Sequence, residues 1–102
     1  MYGTVVGYRL KPGRETDALA LIDELAAGIP HGYIAAYTYR LDAARDEYMT
    51  STVWTDLDTY VKNARSERQR RWYGRFRELL VDDPTWHDGE VIHATTVRRG
   101  VR

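Results

Sequence analysis

The order of residue patterns along this 102-residue chain predicts an α+β fold. Four runs rich in Val, Thr and Tyr alternate as half-buried strands do. Helical periodicity fills the gap between the first and second runs and the gap between the third and fourth. The resulting order, β-α-β-β-α-β, implies a four-stranded antiparallel sheet with its helices on one face, the ferredoxin-like arrangement. The length fits one domain over residues 1–102 with a modest core.

Tyr2–Leu10 is the first strand, broken by Lys11-Pro12-Gly13. From Arg14 to Ala27 the period is helical: Ala18, Ile22, Leu25, Ala26 and Ile29 share a stripe, with Arg14, Asp17, Asp23 and Glu24 opposite. Gly28 is placed as the C′ residue of this helix, and Pro30 stops it from continuing. Tyr33–Leu41 and Glu47–Trp54 form the second and third strands, joined by the short polar segment Asp42–Asp46. Thr55 or Asp56 caps a short helix reaching about Asn63. Ser66 opens a longer one, with Gln69 at the capping-box position, and Asp82-Asp83-Pro84 ends it. Trp86-His87-Asp88-Gly89 reads as a loop turning at Asp-Gly. Val91–Val97 is the expected fourth strand, and residues 98–102 an expected frayed tail.

Composition narrows the function classes. Basic and acidic residues number 15 each, so the net charge is zero, whereas a dedicated nucleic-acid binder normally carries excess positive charge. No apolar run approaches the length of a membrane span, and Met1–Tyr8 lacks a signal-peptide core. Cysteine is absent, which removes disulfides, thiolate nucleophiles and cysteine metal sites and fits a cytoplasmic protein. His31, His87 and His93 are scattered without ligand spacing, so no metal site is expected. Gly3-x-x-x-Gly7 is not a phosphate loop, and nothing supports a nucleotide or flavin cofactor. Eight tyrosines and three tryptophans point instead to a surface for small molecules or partners.

The arginine-rich segment Arg65–Leu79 resolves on a helical wheel. With Phe76 at the centre, Gln69, Trp72, Tyr73, Leu79 and Leu80 lie within about 60° of it. Arg68 and Arg75 flank one edge, Arg70 and Arg77 the other, and Arg71 pairs at the back with Glu67. The aromatic stripe therefore packs on the sheet, and the arginines do not form a base-stacking surface. An edge arginine, Arg68 or Arg75, is placed to steer an anionic ligand.

Alternation divides each strand into two faces. One holds Tyr2, Thr4, Val6, Tyr8, Tyr33, Ala35, Tyr37, Tyr39, Tyr48, Thr50, Thr52, Trp54, Val91, His93 and Thr95. The other holds Val5, Gly7, Ile34, Ala36, Thr38, Met49, Ser51, Val53, Ile92, Ala94 and Thr96, which is too small and apolar for a solvated face. Helices cover one face only, so a homodimer through the open face is expected. Large rings with polar tips pack poorly without gaps, so a pocket is expected between the tyrosine-rich face and the helices.

Lys11-Pro12-Gly13-Arg14-Glu15, His31-Gly32-Tyr33, and Thr52-Val53-Trp54-Thr55-Asp56 followed by Tyr60 together resemble the antibiotic biosynthesis monooxygenase (ABM) family of dimeric α+β barrels, over roughly Gly3–Val97. The resemblance implies a dimer and a pocket. It covers several chemistries: cofactor-free oxidation of aromatic polyketides, quinol oxidation, haem degradation, and members with no assigned activity. The polyketide-oxidising members share Trp54 and Tyr60, but carry Asn where this chain has Thr50 and Arg where it has Tyr73. The haem-degrading members carry His near Tyr73 and Asn near Val6.

An oxygenase of this composition works without a cofactor, its aromatic substrate supplying the electrons after deprotonation. Trp54, Trp72 and Phe76 are candidates for a ring slot, with Tyr8, Tyr37 and Gln69 beside it. Tyr60, Tyr73 or His93 could take a proton. Thr50, Tyr73 or Arg75 could hold an oxyanion. Trp54, Tyr60, Tyr73 and Thr50 form the expected catalytic set. The same residues also suit packing, Tyr60 for instance with Leu57, Val61 and Ala64. The alternative is therefore a non-catalytic dimeric domain that binds a small hydrophobic ligand or is purely structural.

Overall fold

A computed structural model describes residues 1–28 and 31–97 of the chain. The elements are β1 (Tyr2–Arg9), α1 (Glu15–Ala27), β2 (Tyr33–Arg40), β3 (Glu47–Trp54), α2 (Leu57–Ala64), α3 (Glu67–Arg77) and β4 (Thr85–Glu90). The strands form one antiparallel sheet in the order β2-β3-β1-β4. This is the expected ferredoxin-like α+β arrangement, with a short and a long helix between β3 and β4. Ile29, Pro30 and the expected frayed tail 98–102 lie outside the described residues.

The local signals that place the helices act as their residue types predict. Asp56 caps α2 by accepting from the Thr59 N–H at 2.9 Å. Ser66 caps α3 by accepting from the Gln69 N–H at 3.0 Å. The Gln69 side chain does not close the capping box; its Oε1 accepts from Asn63 Nδ2 at 3.2 Å. Gly28 is not a left-handed C′ residue, since its φ is −79°. The Arg68 guanidinium lies against it, and its Nη1 donates to the Gly28 carbonyl at 2.9 Å; a Cβ there would push aside only the end of that flexible side chain. Gly32, entering β2, does need the left-handed region, with φ +88°.

The core lies between the helices and one sheet face. Val6, Tyr8, Leu10, Ala18, Leu21, Tyr48, Phe76, Leu79 and Leu80 form the buried cluster, with Ile22 and Trp72 packed against it. Leu21 joins Ala18 and Leu25 on the buried stripe of α1. Tyr8 meets Phe76 edge-on at 5.1 Å between ring centroids, and Trp72 stacks on Phe76 at 5.1 Å. Trp72 Nε1 donates to the Leu21 carbonyl at 2.6 Å, fastening α3 to α1.

Two strand expectations are corrected. The fourth strand is Thr85–Glu90, not Val91–Val97, and the Trp86–Gly89 segment is strand rather than loop. The connection length decides this against β propensity. Val81 N–H donates to the Arg9 carbonyl at 2.9 Å, so the chain leaves α3 beside the end of β1. A few residues later Thr85 already faces Gly7, and pairing runs to Glu90 opposite Tyr2. Val91–Val97 passes beyond the end of β1.

The second correction is in β2. The β2–β3 register shifts between Tyr33 and Ala35, leaving one extra residue at Ile34. Tyr33 still faces Trp54, but beyond the bulge Ala36 and Thr38 stand opposite Thr52 and Thr50. Tyr37 and Tyr39 are turned to the open face, 63% and 60% exposed. On β1 and β3 the faces are as expected: Thr4, Val6, Tyr8, Tyr48, Thr50 and Trp54 are buried toward the helices.

Candidate functional site

A cavity of about 480 Å³ lies between the sheet and the helices, within the usual range for small-molecule sites. β1 supplies Thr4, Val6 and Tyr8 to it, and β3 supplies Thr50, Thr52 and Trp54. The helices contribute Ile22 and Leu25 from α1, Tyr60, Asn63 and Ala64 from α2, and Gln69, Arg70, Trp72, Tyr73 and Phe76 from α3. Tyr33 and Trp86 complete it from the outer strands. Every tryptophan of the chain lines this space.

Two aromatic groups bound it. Trp54 meets Tyr33 at 4.8 Å and Tyr60 edge-on at 5.9 Å, with Tyr2 5.2 Å from Tyr60. Trp72, Phe76 and Tyr8 form the other group. Tyr73 lies 6.1 Å from Trp86 across the α3–β4 gap. These rings are too large and too angular to interdigitate fully, which leaves the space between them.

Polar groups in the lining are few and distinct. Tyr8 and Thr50 share a 2.7 Å hydrogen bond, and Thr50 shares another of 3.0 Å with Thr38. Burial raises the Tyr8 phenol, and the Thr50 and Thr38 hydroxyls oppose that rise. Tyr60 Oη donates to Asp88 Oδ1 at 2.9 Å. Burial first, and then the neighbouring Asp88 carboxylate, push the Tyr60 phenol up to about 12. The nearby Thr4 hydroxyl opposes this rise, yet among the described residues Thr4 Oγ1 has no hydrogen-bond partner, and neither does Tyr33 Oη. Buried polar atoms of this kind normally have partners. Both residues line the cavity, although these two oxygens are themselves buried.

The fold brings Trp54, Tyr60, Tyr73, Thr50, Trp72, Phe76, Tyr8 and Gln69 of the expected site to one cavity. Three expected residues are elsewhere. Tyr37 is carried to the open face by the β2 bulge. His93 follows β4, exposed and bonded to Thr95 Oγ1 at 2.8 Å. Arg75 is held by Glu24 through contacts of 2.5 and 3.1 Å, away from the lining. The other edge arginine proposed for steering, Arg68, bonds the Gly28 carbonyl instead.

Sequence reasoning passed over Thr4, Asn63, Arg70, Trp86 and Asp88 as site residues. The signal for Trp86 and Asp88 is their spacing of two just after Pro84, which places both on one face if a strand starts there. Among the described residues no helix is long and apolar enough to cross a membrane, and no group of three His, Cys, Asp or Glu converges on one point.

No protein-family model matches the sequence, and a search of curated proteins finds no significant match. Solved structures do match the fold. SnoaB, a cofactor-independent oxygenase from Streptomyces nogalater, superposes with a TM-score of 0.78 at 14% identity, covering 91% of this chain and 94% of its own. A structure described as an antibiotic biosynthesis monooxygenase gives 0.71 at 15% identity, covering 91% and 100%. A conserved protein from Methanosarcina mazei Go1 gives 0.75 at 16% identity, covering 86% and 89%. At these identities the likeness is one of fold, and it spans nearly the whole of each chain.

Proposed function

We propose that this protein binds a small phenolic, quinol or polyketide-type aromatic metabolite between its sheet and helices and oxidises it with dioxygen, without a cofactor. The observation that carries this reading is the convergence of Trp54, Tyr60, Tyr73 and Thr50 on one largely apolar cavity of about 480 Å³. The fold shared with a cofactor-independent oxygenase supports it.

Each residue has a distinct role in this reading. Trp54 and Trp72 hold the ring by its faces. Tyr60, raised to about 12, stays protonated near neutral pH and so cannot act as a phenolate base. It acts as a relay: the substrate's enol or phenol hydroxyl gives its proton to Tyr60 Oη while Tyr60 gives its own to Asp88, already 2.9 Å away. Thr50 and Tyr73 donate to the oxygen left negative. The electron-rich enolate passes one electron to dioxygen, and the radical pair closes to a peroxide at carbon. In an anthrone-type substrate the peroxide takes back the proton, and loss of water then converts the ring methylene to a carbonyl. One oxygen atom enters the product, the other leaves as water, and the substrate supplies all the electrons.

The working unit in this reading is a homodimer. Tyr37, Tyr39 and Val5 are exposed on the open sheet face, and Ile92 beyond β4 is 91% exposed. An apolar surface of this kind is typically covered by a partner, and a second copy meets it with the same residues. The lack of cysteine supports a cytoplasmic setting. The second reading, a ligand-binding domain without catalysis, draws on Thr50 and Tyr73 standing where the polyketide-oxidising relatives suggested by the sequence carry Asn and Arg. Oxygen uptake with anthrones and hydroquinones separates the two: substrate-dependent uptake supports the oxygenase, and binding without uptake supports the second reading.

A further inference from the structure

From the charges around the cavity we infer that the ligand is an anion: an aromatic molecule carrying a carboxylate, or an equally acidic group, that Arg70 recognises. This rests on the reading of the cavity as an aromatic-ligand site.

Among the described residues lining the cavity, Arg70 is the only one with a formal charge. The neighbouring arginines of α3 are engaged: Arg68 with the Gly28 carbonyl, Arg71 with Glu67 at 3.4 Å, Arg75 with Glu24, and Arg77 with Asp83 at 2.9 Å. Arg70 makes no ion pair or side-chain hydrogen bond among the described residues. Its five N–H donors are thus available, in the fork geometry that suits a carboxylate.

Gln69 and Asn63 beside it add neutral donors and acceptors. The Asn63 Nδ2 to Gln69 Oε1 bond fixes both amides, and the Gln69 amide N–H groups have no partner among the described residues. Among the described residues no carboxylate lines the cavity to compete for Arg70. Asp88, outside the lining, accepts from the Tyr60 hydroxyl. It repels an anionic group from Tyr60 while Arg70 attracts it, so the ligand has a preferred orientation. The acidic group sits at Arg70, and a hydroxyl to be deprotonated sits at Tyr60. Charge-assisted hydrogen bonds of this type exceed neutral ones in strength, and the exposure of Arg70 keeps the effect at the modest end.

The test is calorimetric titration with 2-naphthoate and its neutral counterpart 2-naphthamide. The wild-type protein is expected to bind the naphthoate about tenfold more tightly at low salt, with the preference shrinking as salt is added. Arg70→Gln is expected to bind the two equally, and Arg70→Lys to restore part of the preference. Arg71→Gln, on the solvent side, is expected to keep it. Naphthamide binding with no preference for naphthoate in the wild type overturns the anion inference alone. A preference that survives Arg70→Gln overturns it as well. Binding of neither compound overturns the aromatic-ligand reading, and this inference with it.

Discussion

The Tyr60 hydroxyl donates to Asp88 Oδ1 at 2.9 Å, joining α2 to the edge strand β4 across 28 residues of sequence. One end of the pair lines the cavity, while Asp88 lies exposed on the edge strand. In the proposed reaction, a proton entering at Tyr60 would therefore have an exit that does not pass back through the ligand.

Asp88→Asn removes two of the causes that raise the Tyr60 phenol but leaves its burial, the largest one, in place. The Tyr60 phenol is expected to fall from about 12 while remaining above its ordinary value of 10.0. The phenolate ultraviolet band, taken as a difference against Tyr60→Phe, measures this. An unchanged Tyr60 transition means that the hydrogen bond does not persist in solution.

At the far end of β2, Glu15 accepts from Arg40 at 2.6 Å twice and from the Tyr48 hydroxyl at 2.5 Å. Arg40 first, then Tyr48, hold the Glu15 carboxyl down to about 2, against an ordinary value of 4.5. A carboxyl depressed in the folded state adds stability that is complete above about 4.5 and is lost as pH falls toward about 2. Denaturant titrations of the wild type and Glu15→Gln are expected to converge across that window and to separate above it. Parallel curves from neutral pH to pH 2 would show the contact to be inert, as many exposed ion pairs are.

Phe76 is 3% exposed, and it holds the contact between Trp72 and Tyr8. Phe76→Ala is expected to cost about 3–5 kcal/mol, read from the shift of the urea midpoint at constant slope. A loss below about 1 kcal/mol would mean that the rings already collapse into the cavity.

Gly3 faces a different constraint. A Cβ there would lie 2.1 Å from the Thr52 carbonyl oxygen, which is backbone and cannot swing aside. Gly3→Ala is expected to splay β1 from β3 and to destabilise by about 1–3 kcal/mol. Thermal unfolding checks this, and a transition no lower than that of the wild type would contradict it.

The open face gives a prediction for assembly. Tyr37→Asp places a charge on the exposed side of β2 without touching the cavity lining. If a second copy covers that face, sedimentation is expected to move from dimer to monomer while the monomer stays folded. A wild type that sediments as a monomer at micromolar concentration contradicts the dimer.

Much of the fold was legible because local chemistry and pairing agree. The alternation in β1 and β3 and the Asp56 and Ser66 caps all point the same way. Tyr33-Ile34-Ala35-Ala36 holds no mark of an extra residue, so the bulge that reverses Tyr37 could not be read. Val91–Val97 outranks Thr85–Glu90 in β propensity, but the short link from Val81 fixes the register and puts Asp88 beside Tyr60. The helical wheel sets Arg75 and Arg70 at opposite edges of one helix; which of them is free depends on Glu24, 51 residues away from Arg75. The cavity was legible as an excess of large rings on one face, and its charge distribution was not.

Oxygen consumption with anthrone or a substituted hydroquinone, wild type against Tyr60→Phe, tests the central claim most directly. Substrate-dependent uptake in the wild type is expected to fall by about a hundredfold or more in the variant, with the carbonyl product appearing as oxygen disappears. Uptake at the buffer rate in the wild type, or equal rates in both proteins, would contradict proton transfer through Tyr60 as the basis of the activity.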